Sequence, residues 1–262
     1  MRINGMLQKL RAGEIVFGCA IQCYRSAEIP RVLGATGFDY FFIDMEHGGF
    51  DLETAQDMIA SAVAANITPL VRVAELQYAL VARLLDVGAQ GIVLPRVEDP
   101  DVLAEALSWM RYPPEGKRGF GVLPPVLDYE QQSMDAIMSH LNAATAAIVQ
   151  FETRTALDRA DRLLALPGVH IAMIGPADLS VSLGVPGQFD HPELIRAIEG
   201  FVVKCNHYGV IPGIHCRNAA LALPWVGRGM RFIGAGSEQG MLIERARQVT
   251  TELRSAVPVV KH

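Results

Sequence analysis

Eight times along the chain, a short run of apolar, β-branched or aromatic residues leads into an amphipathic helical stretch. The runs span residues 15–22, 40–44, 69–73, 91–95, 146–150, 170–174, 211–215 and 232–235. Several are continuous hydrophobes without alternation, the pattern of strands buried on both faces. Apolar residues at helical spacing fill 52–65, 76–87, 102–110, 156–166, 192–208 and 241–256. Strand–helix alternation predicts a parallel sheet. Eight such units in 262 residues predict an α/β fold closed as a (β/α)8 TIM barrel, whose usual length is about 250 residues. The expectation is one barrel domain over 1–262. Gly37, Gly88, Gly168, Gly209 and Gly229 each stand just before a strand run, where a helix C-cap needs φ > 0.

Residues 1–12 read as a short leading helix. The segment 113–142 is long for a connection, with Pro113, Pro114, Pro124 and Pro125 marking irregular backbone. We expect it to form a loop over the barrel mouth followed by a helix at 130–141. The 23 basic and 28 acidic residues leave a net charge of −5, which argues against a nucleic-acid partner. No apolar run approaches the roughly 20 residues that span a bilayer. Residues 1–13 lack the apolar stretch of a secretory signal, so cytoplasmic residence is expected. Cys19, Cys23, Cys205 and Cys216 are scattered without a C-x-x-C pair, which indicates neither a disulfide framework nor a thiolate zinc site. Neither G-x-G-x-x-G after the first strand nor a P-loop occurs, so no nucleotide cofactor is indicated.

In such a barrel the active site is built at the C-terminal ends of the strands. Asp44, Glu46 and His47 follow the second run, and Arg72 ends the third. Arg96 follows the fourth, Gln150 and Glu152 the fifth, and G-P-A-D-L-S, carrying Gly175, Pro176, Ala177 and Asp178, the sixth. His215 ends the seventh, and Ser237 and Glu238 follow the eighth. This one-sided concentration of ionisable groups points to catalysis. Glu152 and Asp178 come from neighbouring strands, and two carboxylates without clustered Cys or His suit Mg²⁺ or Mn²⁺. The alternative is that Asp178 only caps a helix and Glu152 pairs with an arginine. Arg72 offers a planar fork to a carboxylate or enolate oxygen; a standing pair with Asp44 or Glu46 is the other reading, and the two are compatible. His47, in a Gly-flanked turn, is a candidate general base. His140, His170, His191, His207 and His262 read as structural or exposed.

The chain has only four lysines, Lys9, Lys117, Lys204 and Lys261. None stands at the end of an apolar strand, where a Schiff-base lysine would have to be, so carbon–carbon chemistry here would need a metal electrophile.

With D-M-E-H-G, V-R-V, R-Y-P-P-E-G-K-R-G, Q-F-E-T and I-G-P-A-D-L-S in this order, the chain resembles the HpcH/HpaI family of metal-dependent (class II) pyruvate aldolases. The likeness runs from about Phe17 to the last helix. It implies a barrel of the phosphoenolpyruvate/pyruvate superfamily and a homohexamer, a trimer of dimers with the last helix exchanged between subunits. It implies Glu152 and Asp178 as ligands of a divalent metal, Mg²⁺ or Mn²⁺ with Co²⁺ a further candidate. Gln150 and the Gly175–Asp178 backbone would contact substrate, and Arg72 would hold the pyruvate oxygens. Asp44 and His47 would be the acid–base and metal-water residues of their turn, with Asp86 pairing with that histidine from across a subunit boundary; the base would be either metal-bound water or the His47–Asp86 pair. The implied reaction is reversible cleavage of a 4-hydroxy-2-oxo acid to pyruvate and an aldehyde. Decarboxylation of oxaloacetate through the same enolate is the nearest rival, and a CoA-ester lyase of the citrate-lyase type the next. Arg96 and His215 depart from the family pattern on the aldehyde side; Arg96 would meet an acidic aldehyde tail or Glu98.

Overall fold

The computed structural model describes residues 1–256, so Lys261 and His262 lie outside the described residues. The elements run α1 (Gly5–Arg11), β1 (Val16–Ile21), α2 (Glu28–Ala35), β2 (Tyr40–Asp44), α3 (Leu52–Ala64), β3 (Thr68–Arg72), α4 (Tyr78–Asp86), β4 (Gly91–Leu94) and α5 (Pro100–Ser108). A 3-10 turn (Pro124–Leu127) and α6 (Met134–Ala144) lead to β5 (Ala146–Phe151), α7 (Arg154–Asp158), α8 (Ala160–Leu164), β6 (Ile171–Ile174) and α9 (Pro176–Ser182). Then come α10 (Pro192–His207), β7 (Ile211–Cys216), α11 (Ala219–Val226), β8 (Phe232–Ser237) and α12 (Glu238–Ser255). The strands close in sequence order, every pair parallel, with β8 against β1. This is the (β/α)8 barrel that the alternation predicts. The five cap glycines all have positive φ, between 68° and 109°.

Alternation along each strand separates two cores. Phe41, Ile43, Val71 and Ile92 face outward and join the helices in one cluster. Tyr40, Phe42, Leu70, Ile148, Ile171 and Phe232 face inward and form the other. Tyr40 stacks on Phe232 with centroids 4.2 Å apart. A Cβ at Gly18 would lie 2.4 Å from the Tyr40 ring, so only glycine fits there. Met6, Leu7 and Leu10 of α1 belong to this inner cluster and plug the barrel's lower end. Asn4 pins the plug: its Oδ1 accepts from Leu7 N, and its Nδ2 donates to the carbonyls of Gln90 and Ala144.

Two local expectations need correction. The 156–166 stretch is two short helices that meet at Arg159. The segment after α5 does not cover the mouth. Leu123 N bonds to Asp86 O, Arg2 pairs with Asp128, and the amino terminus pairs with Glu130. It therefore runs along α4 to the plugged end, because its acidic groups find their cations there. Among the described residues no helix is long and apolar enough to cross a membrane.

Candidate active site

The same period of two builds the site. Stepping two residues up from inward Phe42, Leu70 and Ile148 reaches Asp44, Arg72 and Gln150, and one more step on β5 reaches Glu152. The apolar interior thus turns polar at one end only. There a cavity of about 350 Å³ opens, lined among others by His47, Arg72, Gln150, Asp178 and His215.

Asp44 and Arg72 form its floor. Arg72 Nε donates to Asp44 Oδ1 at 2.9 Å and Nη2 to Oδ2 at 2.6 Å, a buried two-pronged pair. Asp44 also accepts from Gln22 Nε2 at 3.0 Å and from the backbone N–H groups of Glu46 and His47 at 3.1 Å each. Burial pushes the Asp44 carboxyl up, but the Arg72 hydrogen bonds and charge, with Gln22 and the His47 amide, outweigh it and hold the group below the usual carboxylate range. The third prong of Arg72, Nη1, lies 3.2 Å from Glu46 Oε2 and 3.4 Å from Gln150 Oε1. Both standing partners considered for Arg72 are therefore real.

Glu152 is buried. Its Oε1 accepts the backbone N–H of Arg96 at 3.0 Å, and its Oε2 accepts from Gln150 Nε2. Burial raises its carboxyl above the ordinary value; the Gln150 bond opposes this, while the charges of Glu46 and Asp178 add to it. Asp178 sits in the first turn of α9, whose N-cap is Gly175. Neither bland reading of this pair holds: Asp178 is not the cap, and Glu152 meets the backbone of Arg96 instead of a guanidinium. A Cβ at Gly175 would stand 3.2 Å from Gln150 Nε2 and 3.3 Å from Glu152 Oε2. Pro176 has no N–H, and the amides of Ala177 and Asp178 are first-turn donors without helical partners. Among the described residues no three of His, Cys, Asp and Glu converge as a metal cage. Two mutually repelling oxygen donors, Glu152 buried and Asp178 open to solvent, fit a hard cation that draws further ligands from water and substrate.

His47 is half exposed, with Nε2 3.9 Å from Glu46 Oε2. Within one chain Asp86 does not meet it; Arg118 Nη2 holds Asp86 at 2.7 Å. Arg96 adopts φ 53°, a conformation disfavoured for any side chain. Its Nε lies 2.8 Å from Glu46 Oε1, so Glu46 is its partner and not Glu98, which accepts from Thr153 Oγ1. Sequence reasoning missed Gln22 and the role of Glu238. Gln22 closes the first run and was findable by the strand-end rule. Glu238 accepts from the backbone N–H groups of Gln22, Cys23 and Tyr24, a contact between chain ends that no local pattern reveals. Lys9, Lys117 and Lys204 lie in α1, the loop after α5 and α10.

Comparisons with known proteins agree with this geometry. The profile described as HpcH/HpaI aldolase/citrate lyase matches residues 24–244. A hydroxypyruvate/pyruvate aldolase of Roseobacter denitrificans is 31% identical over 250 residues, 95% of this chain and 97% of the relative. A 4-hydroxy-2-oxo-heptane-1,7-dioate aldolase of Salmonella dublin is 32% identical over 250 residues, 93% of this chain and 92% of the relative. The crystal structure of an HpcH/HpaI aldolase from Desulfitobacterium hafniense superposes with a TM-score of 0.92 at 28% identity, covering 98% of each chain. With most of its length matched by one profile and its strand-end carboxylates gathered at one mouth, this chain belongs to the HpcH/HpaI aldolase/citrate lyase family.

Proposed function

We propose that the protein is a class II aldolase that cleaves a 4-hydroxy-2-oxo acid to pyruvate and an aldehyde and runs the addition in reverse. The observation that carries this reading is the placing of two carboxylates, Asp178 in the cavity wall and Glu152 just behind Gly175, close enough to repel each other, beside the cavity that Arg72 lines. A divalent cation, Mg²⁺ or Mn²⁺ with Co²⁺ a further candidate, would be held by Glu152 and Asp178 and supplies Lewis-acid polarisation of the 2-oxo group when bound. The free amides of Ala177 and Asp178 receive the substrate carboxylate, with Gln150 beside it. Arg72 holds the 2-oxo oxygen and stabilises its charge as the C3–C4 bond breaks. His47 takes the proton of the 4-hydroxyl. Protonation of C3 then gives pyruvate.

Asp86 of a partner subunit is the group that would orient His47. A homohexamer with an exchanged α12 supplies it. In support, α12 leaves Leu242 and Leu253 55% and 65% exposed. An apolar groove lined by Phe17, Phe38, Ile233 and Met241 lies open beside β1 and β8. The reading places the enzyme in the cytoplasm.

The direct test is pyruvate in D₂O, followed by proton NMR with Mg²⁺ or Mn²⁺ and, in parallel, with EDTA. Metal-dependent loss of the methyl signal is the expected result. Absence of exchange from folded protein in both samples sinks the proposal. His47→Ala separates the aldolase from the decarboxylase reading. It should cost about 10²–10⁴-fold in retro-aldol rate, the usual worth of a general base, while methyl exchange and oxaloacetate decarboxylation persist. Equal loss of all three would remove His47 from the base role.

A further inference from the structure

One stretch of the cavity wall is apolar except at a single residue. Phe42 and Met173 line it, and His215 stands between β6 and β8 with its ring edge on Phe42, centroids 4.9 Å apart. Room for the imidazole comes from the neighbouring strand. A Cβ at Gly234 of β8 would lie 2.2 Å from His215 Nδ1, so the ring occupies the space a side chain there would fill. Nδ1 is buried and has no hydrogen-bond partner. Among the described residues Nε2 makes no hydrogen bond either. A polar ring seated on a glycine, in an apolar wall, with neither nitrogen engaged, is costly to keep for packing alone.

Burial, aided by the Arg72 charge, lowers the His215 pKa to about 4, so the ring is neutral at working pH. Buried orphan N–H groups are rarer than orphan acceptors. That assigns the unpaired lone pair to Nδ1 and the proton to Nε2, leaving one neutral donor for a ligand. On the aldolase reading, Arg72, Gln150 and the α9 amides would be engaged by the carboxylate and 2-oxo oxygens. The substrate carbon next to them, C3, would then face the Phe42–His215–Met173 wall; in pyruvate it is a methyl group with nothing to accept a hydrogen bond.

We propose that His215 is a specificity residue that donates a hydrogen bond from Nε2 to a hydroxyl on C3 of the donor acid, favouring 3-hydroxypyruvate over pyruvate. This rests on the aldolase reading above. It assigns the departure at His215 to the nucleophile side of the site, where sequence reasoning set it on the aldehyde side.

The test compares the C3-proton exchange of 3-hydroxypyruvate and of pyruvate in D₂O with Mn²⁺, for wild type, His215→Leu and His215→Gln. No aldehyde is needed. Wild type should favour hydroxypyruvate in kcat/KM. His215→Leu should lower the hydroxypyruvate-to-pyruvate ratio by about tenfold, the worth of one neutral hydrogen bond. His215→Gln, whose amide Nε2 can still donate, should restore most of the ratio. If the leucine variant does not fold, His215→Phe fills the same space without an N–H and replaces it. A ratio unchanged by loss of the imidazole, or an equal fall for both donors, overturns the assignment of His215 and leaves the aldolase standing. Exchange of neither donor by wild type overturns both.

Discussion

Arg72→Ala should lose about 10³-fold in kcat/KM for pyruvate exchange and about 3 kcal/mol of stability, the largest combined effect of any single change at this site. The catalytic loss follows from removing the group aimed at the developing enolate oxygen; deletion of one preorganised donor to an oxyanion typically costs about 10²–10³-fold. The stability loss has a separate cause. Asp44 is fully buried and takes both prongs of the guanidinium, and breaking a buried pair leaves an uncompensated charge at a cost of about 3–5 kcal/mol. Arg72→Lys should fold better and still lose most of the activity, because an ammonium cannot fill both the Asp44 fork and the substrate-facing prong.

The pH dependence separates the two causes. In wild type the Asp44 carboxyl is held below its ordinary value, so its contribution is present above the unfolded-state value and is lost as pH falls through the folded one. In Arg72→Ala, burial dominates and raises the group instead. That penalty grows as pH rises above the unfolded-state value. The stability gap between variant and wild type should therefore narrow on acidification towards pH 4. Urea unfolding at neutral and acid pH reads it; a gap constant across that range would show that Asp44 finds another partner.

Glu238→Ala should cost roughly 2 kcal/mol, since three half-buried or exposed backbone N–H groups lose their shared acceptor and water replaces it only in part, against about 1–3 kcal/mol for each fully buried donor left unpaired. The carboxylate accepts from Gln22, Cys23 and Tyr24 at 2.6–3.0 Å, tying the first strand's exit to the start of α12. Activity should fall as well, because Gln22 in turn holds Asp44 Oδ2. Glu238→Gln keeps an acceptor oxygen and should lose less than half as much. Chemical denaturation with the pyruvate exchange assay checks both. Wild-type stability in Glu238→Ala would show that water replaces the carboxylate without penalty.

The barrel and its polar end were legible for related reasons. Strand 40–44 was read with its observed limits, and the other runs within a residue or two, because doubly buried strands must be apolar throughout and their ends are marked by cap glycines. Asp44, Arg72, Gln150 and His215 were legible because they interrupt that apolar rule at strand ends. The path of residues 113–142 was not. Prolines and length announce irregular backbone but carry no record of which distant partners Arg118, Asp128 and Glu130 will meet. Arg96 was misassigned for the same reason: proximity in sequence suggested Glu98, while the barrel wall set Glu46 beside it.

Local rules of hydrophobic period, glycine φ and strand-end polarity by themselves determined that this chain forms eight parallel βα units with a chemically active face. Tertiary structure decided which charges meet: that Arg72 spans Asp44 and Glu46, that Glu152 is set near Asp178 so that the two repel, and that Glu238 clamps the far end of β1. Periodicity is a property of neighbours along the chain and survives in the sequence. Ion-pair choice depends on distances of a few ångströms between residues tens or hundreds of positions apart, and those exist only once the barrel has closed.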